Sequence, residues 1–70
     1  MLQVDTEKLV GIIYGKKFSK SSFAKEIGMD RRTLSLYMND PNRFTIKMIN
    51  LMTQILVLKD DEFKGIFFYH

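Results

Sequence analysis

The chain has 70 residues, no cysteine, 46% hydrophobic residues and a formal charge of +3. A chain this short builds one small core, and without thiols neither a disulfide nor a thiolate zinc site can brace it, so stability must come from packing or from a partner chain. Met1 to Glu7 lacks the basic region and apolar run of a signal peptide, and no apolar stretch approaches the ~20 residues of a membrane span, so a soluble, intracellular protein is expected.

In chain order, Asp5 or Thr6 can cap an opening helix in which Leu9, Ile12 and Ile13 form an apolar stripe and which Gly15 can end. Lys16 and Lys17 follow in the loop, as phosphate contacts or simply as solubilising charges.

The stretch from Phe18 to Asn39 is the most informative. Ser19 can cap a second helix, and Phe18 with Phe23 stands at the spacing of a hydrophobic staple. Gly28 follows Ile27 where that helix must stop, because a residue without Cβ can take the left-handed conformation that reverses the chain. Asp30 starts a third helix, where its carboxylate suits the positive end of the dipole, and Met29 with Leu34 repeats the staple spacing. Two short helices joined by the tight Gly28-Met29-Asp30 link make a helix-turn-helix pattern. Leu34, Tyr37 and Met38 form one stripe that should pack on Phe23, Ala24 and Ile27, while Arg31, Arg32, Ser35 and Asn39, with Leu36 beside them, should face solvent. Arginine near a helix start is disfavoured by the dipole, and a negatively charged partner would explain two of them there. An isolated Arg-Arg pair is ordinarily just a solvated basic face. In this framework it also matches the way a recognition helix presents its N-terminal residues to base edges in the major groove.

Asn39-Asp40-Pro41-Asn42 signals a turn. Thr45 then caps a fourth helix, Phe44 and Ile49 give a third staple, and Arg43 and Lys47 near its start are candidate phosphate contacts. Ile46, Met48, Ile49, Leu51, Met52, Ile55 and Leu56 cover more than one stripe of that helix, so one side is expected to meet a partner. Asp60, Asp61 and Glu62 suit the start of a last helix that places Phe63, Ile66 and Phe67 on one face, with Phe68 and Tyr69 adding apolar surface. A homodimer through helix four or the C-terminal segment follows as an expectation.

Charge is uneven. Residues 16 to 47 hold eight basic groups against three acidic ones, a net +5, and the remainder carries −2, so positive charge is concentrated on the helix-turn-helix segment as phosphate binding would require. Nothing suggests an enzyme, a cofactor or a metal. The only histidine is His70, no Gly-rich phosphate loop or ligand cluster appears, and capping accounts for the acidic run at 60–62.

Phe23-Ala24, Ile27-Gly28-Met29, Leu34, Tyr37 and Asn39 resemble the pattern of the lambda-repressor-like helix-turn-helix proteins, and the small size is similar to that of phage Cro-like regulators. The tail Glu62 to Phe68 is similar to the last helix of such regulators. The resemblance implies an all-α fold, a small five-helix lambda-repressor-like helix-turn-helix domain covering residues 1–70 with its core at 19–39. It further implies base contacts from Lys20, Ser21, Arg31, Arg32, Ser35 and Leu36 and a phosphate held by Asn39. Lys16, Lys17, Ser19, Arg43 and Lys47 complete the candidate phosphate contacts. One departure is Lys20, where many relatives carry Gln to brace a base-reading side chain.

The expected function is a small transcriptional regulator of a phage or prophage switch, a Cro-like repressor in the bacterial cytoplasm, with the recognition helix Asp30–Met38 in the major groove of a double-stranded operator. The alternative is an antirepressor that binds another phage repressor protein, and a third possibility is the antitoxin of a toxin pair.

Overall fold

Helices form where a capping side chain precedes an apolar stripe. In the computed structural model, which describes residues 2–69 and only the backbone of Leu2 and Tyr69, they are α1 (Thr6–Gly15), α2 (Lys20–Glu26), α3 (Arg31–Asn39), α4 (Ile46–Leu56) and α5 (Asp60–Ile66). Met1 and the only histidine, His70, lie outside the described residues. Asp5, Ser19, Asp30 and Thr45 each accept a backbone N–H from the third residue beyond, so four of the five helices start on a side-chain cap. The fifth starts by the reverse half of a capping box: Glu62 Oε1 accepts the Lys59 backbone N–H at 3.0 Å. The acidic residues of the 60–62 run thus stand in the first turn, where the dipole favours them.

Both ends of the chain meet in a feature the sequence reading does not anticipate. Strands β1 (Leu2–Val4) and β2 (Phe67–Tyr69) pair antiparallel, with Val4 opposite Phe67 and Gln3 opposite Phe68. The Asp5 backbone N–H donates to the Ile66 carbonyl at 2.8 Å and extends the pairing to the start of α1. The last helix therefore stops at Ile66, and Phe67 enters the core from a strand rather than from a helical face.

One core cluster joins all five helices. Leu9, Ile13, Phe23, Ala24, Met52 and Ile66 are fully buried, and Leu34, Leu56, Phe67, Ile27, Phe44 and Ile49 complete it. Phe23 meets Phe18 edge-on with ring centroids 5.7 Å apart, which is the staple at the start of α2. Tyr37 packs edge-on against Phe44 at 6.4 Å, Phe44 against Phe67 at 6.3 Å, and Phe67 against Phe63 at 5.1 Å. This aromatic series backs α3 from behind and ties it to the C-terminal strand and helix. Of the C-terminal aromatics in this series, Phe67 is buried and Phe63 is half-buried, and Phe68 beyond it is half-buried as well.

Among the described residues, three take left-handed backbone conformations: Gly28 (φ +81), Lys17 (φ 73) and Val57 (φ 50). At Gly28 the chain reverses between α2 and α3 while Met29 N–H returns to the Ala24 carbonyl at 2.9 Å. After α1 the helix ends at Gly15 as expected, yet the reversal falls on Lys17, with Phe18 N–H bonded to the Ile13 carbonyl at 3.1 Å. Between α3 and α4 the turn expected at residues 39–42 is a short 3-10 turn, Pro41–Arg43.

Candidate nucleic-acid interface

The start of α2 is fixed by a reciprocal pair of serines. Ser22 N–H donates to Ser19 Oγ at 3.1 Å, and Ser19 N–H donates to Ser22 Oγ at 2.9 Å, which leaves Lys20 and Ser21 in the first turn between them. Ser19 Oγ also donates to Ser22 Oγ at 3.1 Å, so its hydroxyl serves the cap, and a phosphate would compete for that proton. Ser22 is a residue the sequence reading missed. A serine in place of the usual Glu or Gln three positions after the cap carries the same function with a shorter arm.

The start of α3 is fixed by Asp30, whose Oδ1 accepts the Thr33 backbone N–H at 2.7 Å. That bond, then the Thr33 hydroxyl, then the Arg32 charge hold the Asp30 carboxyl below its ordinary range. Arg31 and Arg32 thus sit at the disfavoured end of a helix dipole behind a carboxylate that offsets part of the cost.

Beyond the cap, α3 divides as expected except at Ser35, which was expected in solvent and is half-buried. Leu34 is buried, and Tyr37 and Met38 are half-buried against the core. Arg31, Arg32 and Asn39 are exposed, Ser35 is half-buried, and Leu36 is 56% exposed. Among the described residues the one ion pair joins Arg43 Nε to Asp40 Oδ2 at 3.0 Å, so both arginines of α3 are left to solvent while Arg43 already has a carboxylate. Lys16, Lys17, Ser21 and Lys47 are exposed.

Lys20 is half-buried rather than free, because it lines a shallow open groove of about 340 Å³ with Thr6, Glu7 and Val10 of α1 and Met38 and Asn39 of α3. The groove brings together two sequence candidates, Lys20 and Asn39, from different helices. It adds Glu7, which no local pattern marks, and Thr6, which the sequence marks only as a possible cap, since their approach to α2 and α3 is set by tertiary packing. Glu7 adds a negative charge to the same groove that Lys20 lines. Among the described residues, no group of three or more His, Cys, Asp or Glu could hold a metal, and no helix is long and apolar enough to cross a membrane.

Comparison with protein-family models, with curated proteins and with solved structures finds no match to this chain.

Proposed function

We propose that this protein is a small DNA-binding transcriptional regulator with a lambda-repressor-like helix-turn-helix, a Cro-like repressor acting in the bacterial cytoplasm, and that α3 enters the major groove of its operator. The observation that carries this reading is the outward face of α3: two arginines with no ion-pair partner among the described residues, a polar flank and a capped helix start. Arg31 and Arg32 donate to guanine edges. Asn39, Lys16, Lys17 and Lys47 supply phosphate contacts, with Lys20 and Ser21 approaching from the start of α2.

A second copy joins through α4, which supports recognition helices spaced about one DNA turn apart. Ile46 and Val57, at the two ends of that helix, are 75% and 73% exposed. The remaining apolar residues of α4 are spent on the core. Binding of the full chain to duplexes selected from random sequence, followed across salt concentrations, tests the proposal. Specific binding that weakens steeply with salt supports it, and indifference to DNA at every salt concentration refutes it.

The exposed apolar side chains Tyr14, Leu36, Ile46 and Val57 favour a second reading, an antirepressor that occupies another phage repressor protein. A tight one-to-one complex with a repressor from the same genome, formed by a chain that shows no salt-dependent DNA binding, would select it.

A further inference from the structure

Leu36 stands on the outward crest of α3, and the core makes no use of it. At 100° per residue, Arg32 and Leu36 each fall roughly 20° from the line directly opposite Leu34, which makes them the two side chains aimed most squarely away from the core. Leu34 is 1% exposed, and Leu36 is 56% exposed. The other exposed residues of α3, Arg31, Arg32 and Asn39, are all polar, and Leu36 belongs neither to the core nor to the residues packed against it.

The major groove offers one apolar group among its hydrogen-bonding edges, the C5-methyl of thymine. Four residues of helix rise about 6 Å, close to two base steps of about 3.4 Å each. A helix lying along the groove with Arg32 on the O6 and N7 of a guanine therefore brings Leu36 to a base about two steps away.

Resting on the DNA-binding reading above, we infer that Leu36 determines specificity for one thymine in each half-site through its methyl group, and that this thymine lies about two base steps from the guanine read by Arg32. Leu36 excludes cytosine at that position because cytosine presents an amino group and no methyl, and the leucine cannot pair with the amino donor.

The test uses duplexes selected by the full chain from random sequence, with each thymine replaced singly by deoxyuridine, which deletes only the methyl. One replacement per half-site should weaken binding about three- to fivefold, as expected for one buried methyl group. The same replacement should have no effect on Leu36→Ala. The penalty for changing the guanine two steps away should vanish in Arg32→Ala. Leu36 is exposed, so the alanine variant should keep the parent's thermal unfolding midpoint, and an unchanged midpoint confirms that any lost discrimination comes from the interface. Identical deoxyuridine profiles for the parent and Leu36→Ala would overturn the inference while leaving salt-dependent DNA binding intact. A parent chain that binds no duplex would instead overturn the DNA-binding reading on which the inference rests.

Discussion

Ser19 and Ser22 cap each other across the first turn of α2, each accepting the other's backbone N–H, at 3.1 and 2.9 Å. Either bond satisfies an orphan donor, and together they fix the entry of the helix that carries Lys20 and Ser21. Ser19→Ala should cost about 1 kcal/mol of stability. The double variant Ser19→Ala, Ser22→Ala should lose less than the sum of the two single changes, because the partners share one set of bonds. Urea unfolding of the three variants gives the coupling directly, and strict additivity would mean the two bonds act independently.

Asp30 makes acid stability a local question. Hydrogen bonds from Thr33 hold its carboxyl below the ordinary value, so folding favours the ionised form. That contribution is complete above about pH 4 and is lost as pH falls through the lower folded value. Asn at position 30 still caps a helix but does not titrate. Asp30→Asn should therefore melt close to the parent at neutral pH and show a shallower loss of melting temperature as pH falls below about 4. Parallel acid limbs for parent and variant would contradict the assignment.

Val57 closes α4 in a left-handed conformation at φ 50, with 73% of its surface exposed. A branched side chain is strained there and buries little in return. Val57→Gly should stabilise the fold by about 1 kcal/mol, because the relief of strain exceeds the entropy that glycine adds to the unfolded chain. For a domain of this size that corresponds to a melting temperature roughly 4–8 °C higher. A lower melting temperature would show that Val57 makes contacts stronger than its exposure suggests.

Arg43 and Lys47 separate two kinds of cation near the start of α4. Arg43 is paired with Asp40 at 3.0 Å, whereas Lys47 is exposed and forms no ion pair among the described residues. Lys47→Ala should weaken binding to all duplexes alike and reduce the salt slope by about 1. Arg43→Ala should change the slope less, since Asp40 already neutralises part of its charge. Equal slopes for the two variants would show that the ion pair opens on the DNA.

What could be read from the chain, and what could not, follows the range of the interactions. The caps at Ser19, Asp30 and Thr45, the Phe18–Phe23 staple and the left-handed Gly28 act within about five residues, so short spacings in the sequence reveal them. The pairing of Val4 with Phe67 joins opposite ends of the chain, and two three-residue strands carry too little alternation to be distinguished from helix ends. Gly15 ends α1 as its type suggests, but the left-handed residue that follows is Lys17, which no local preference marks. Part of the apolar breadth of α4 is taken up by Met48, Leu51 and Ile55, which are partly buried against the core, while Ile46 stays 75% exposed. At the candidate interface the faces of α3 were legible from its 3.6-residue period. The grouping of Lys20 and Asn39 with Thr6 and Glu7 was not, because it depends on how α1 crosses the other two helices.

The central claim is that Arg31 and Arg32 meet DNA. Replacing either by alanine should cost about 1–3 kcal/mol on a cognate duplex and relax base preference at one position. The most direct measurement is selection of bound duplexes from random sequence at physiological salt, run in parallel for the parent chain and for Arg31→Ala, Arg32→Ala. The expected result is a two-fold symmetric motif with guanine in each half-site for the parent and no such motif for the variant. The same motif at the same affinity from both proteins, or no enrichment with the parent, would contradict the claim.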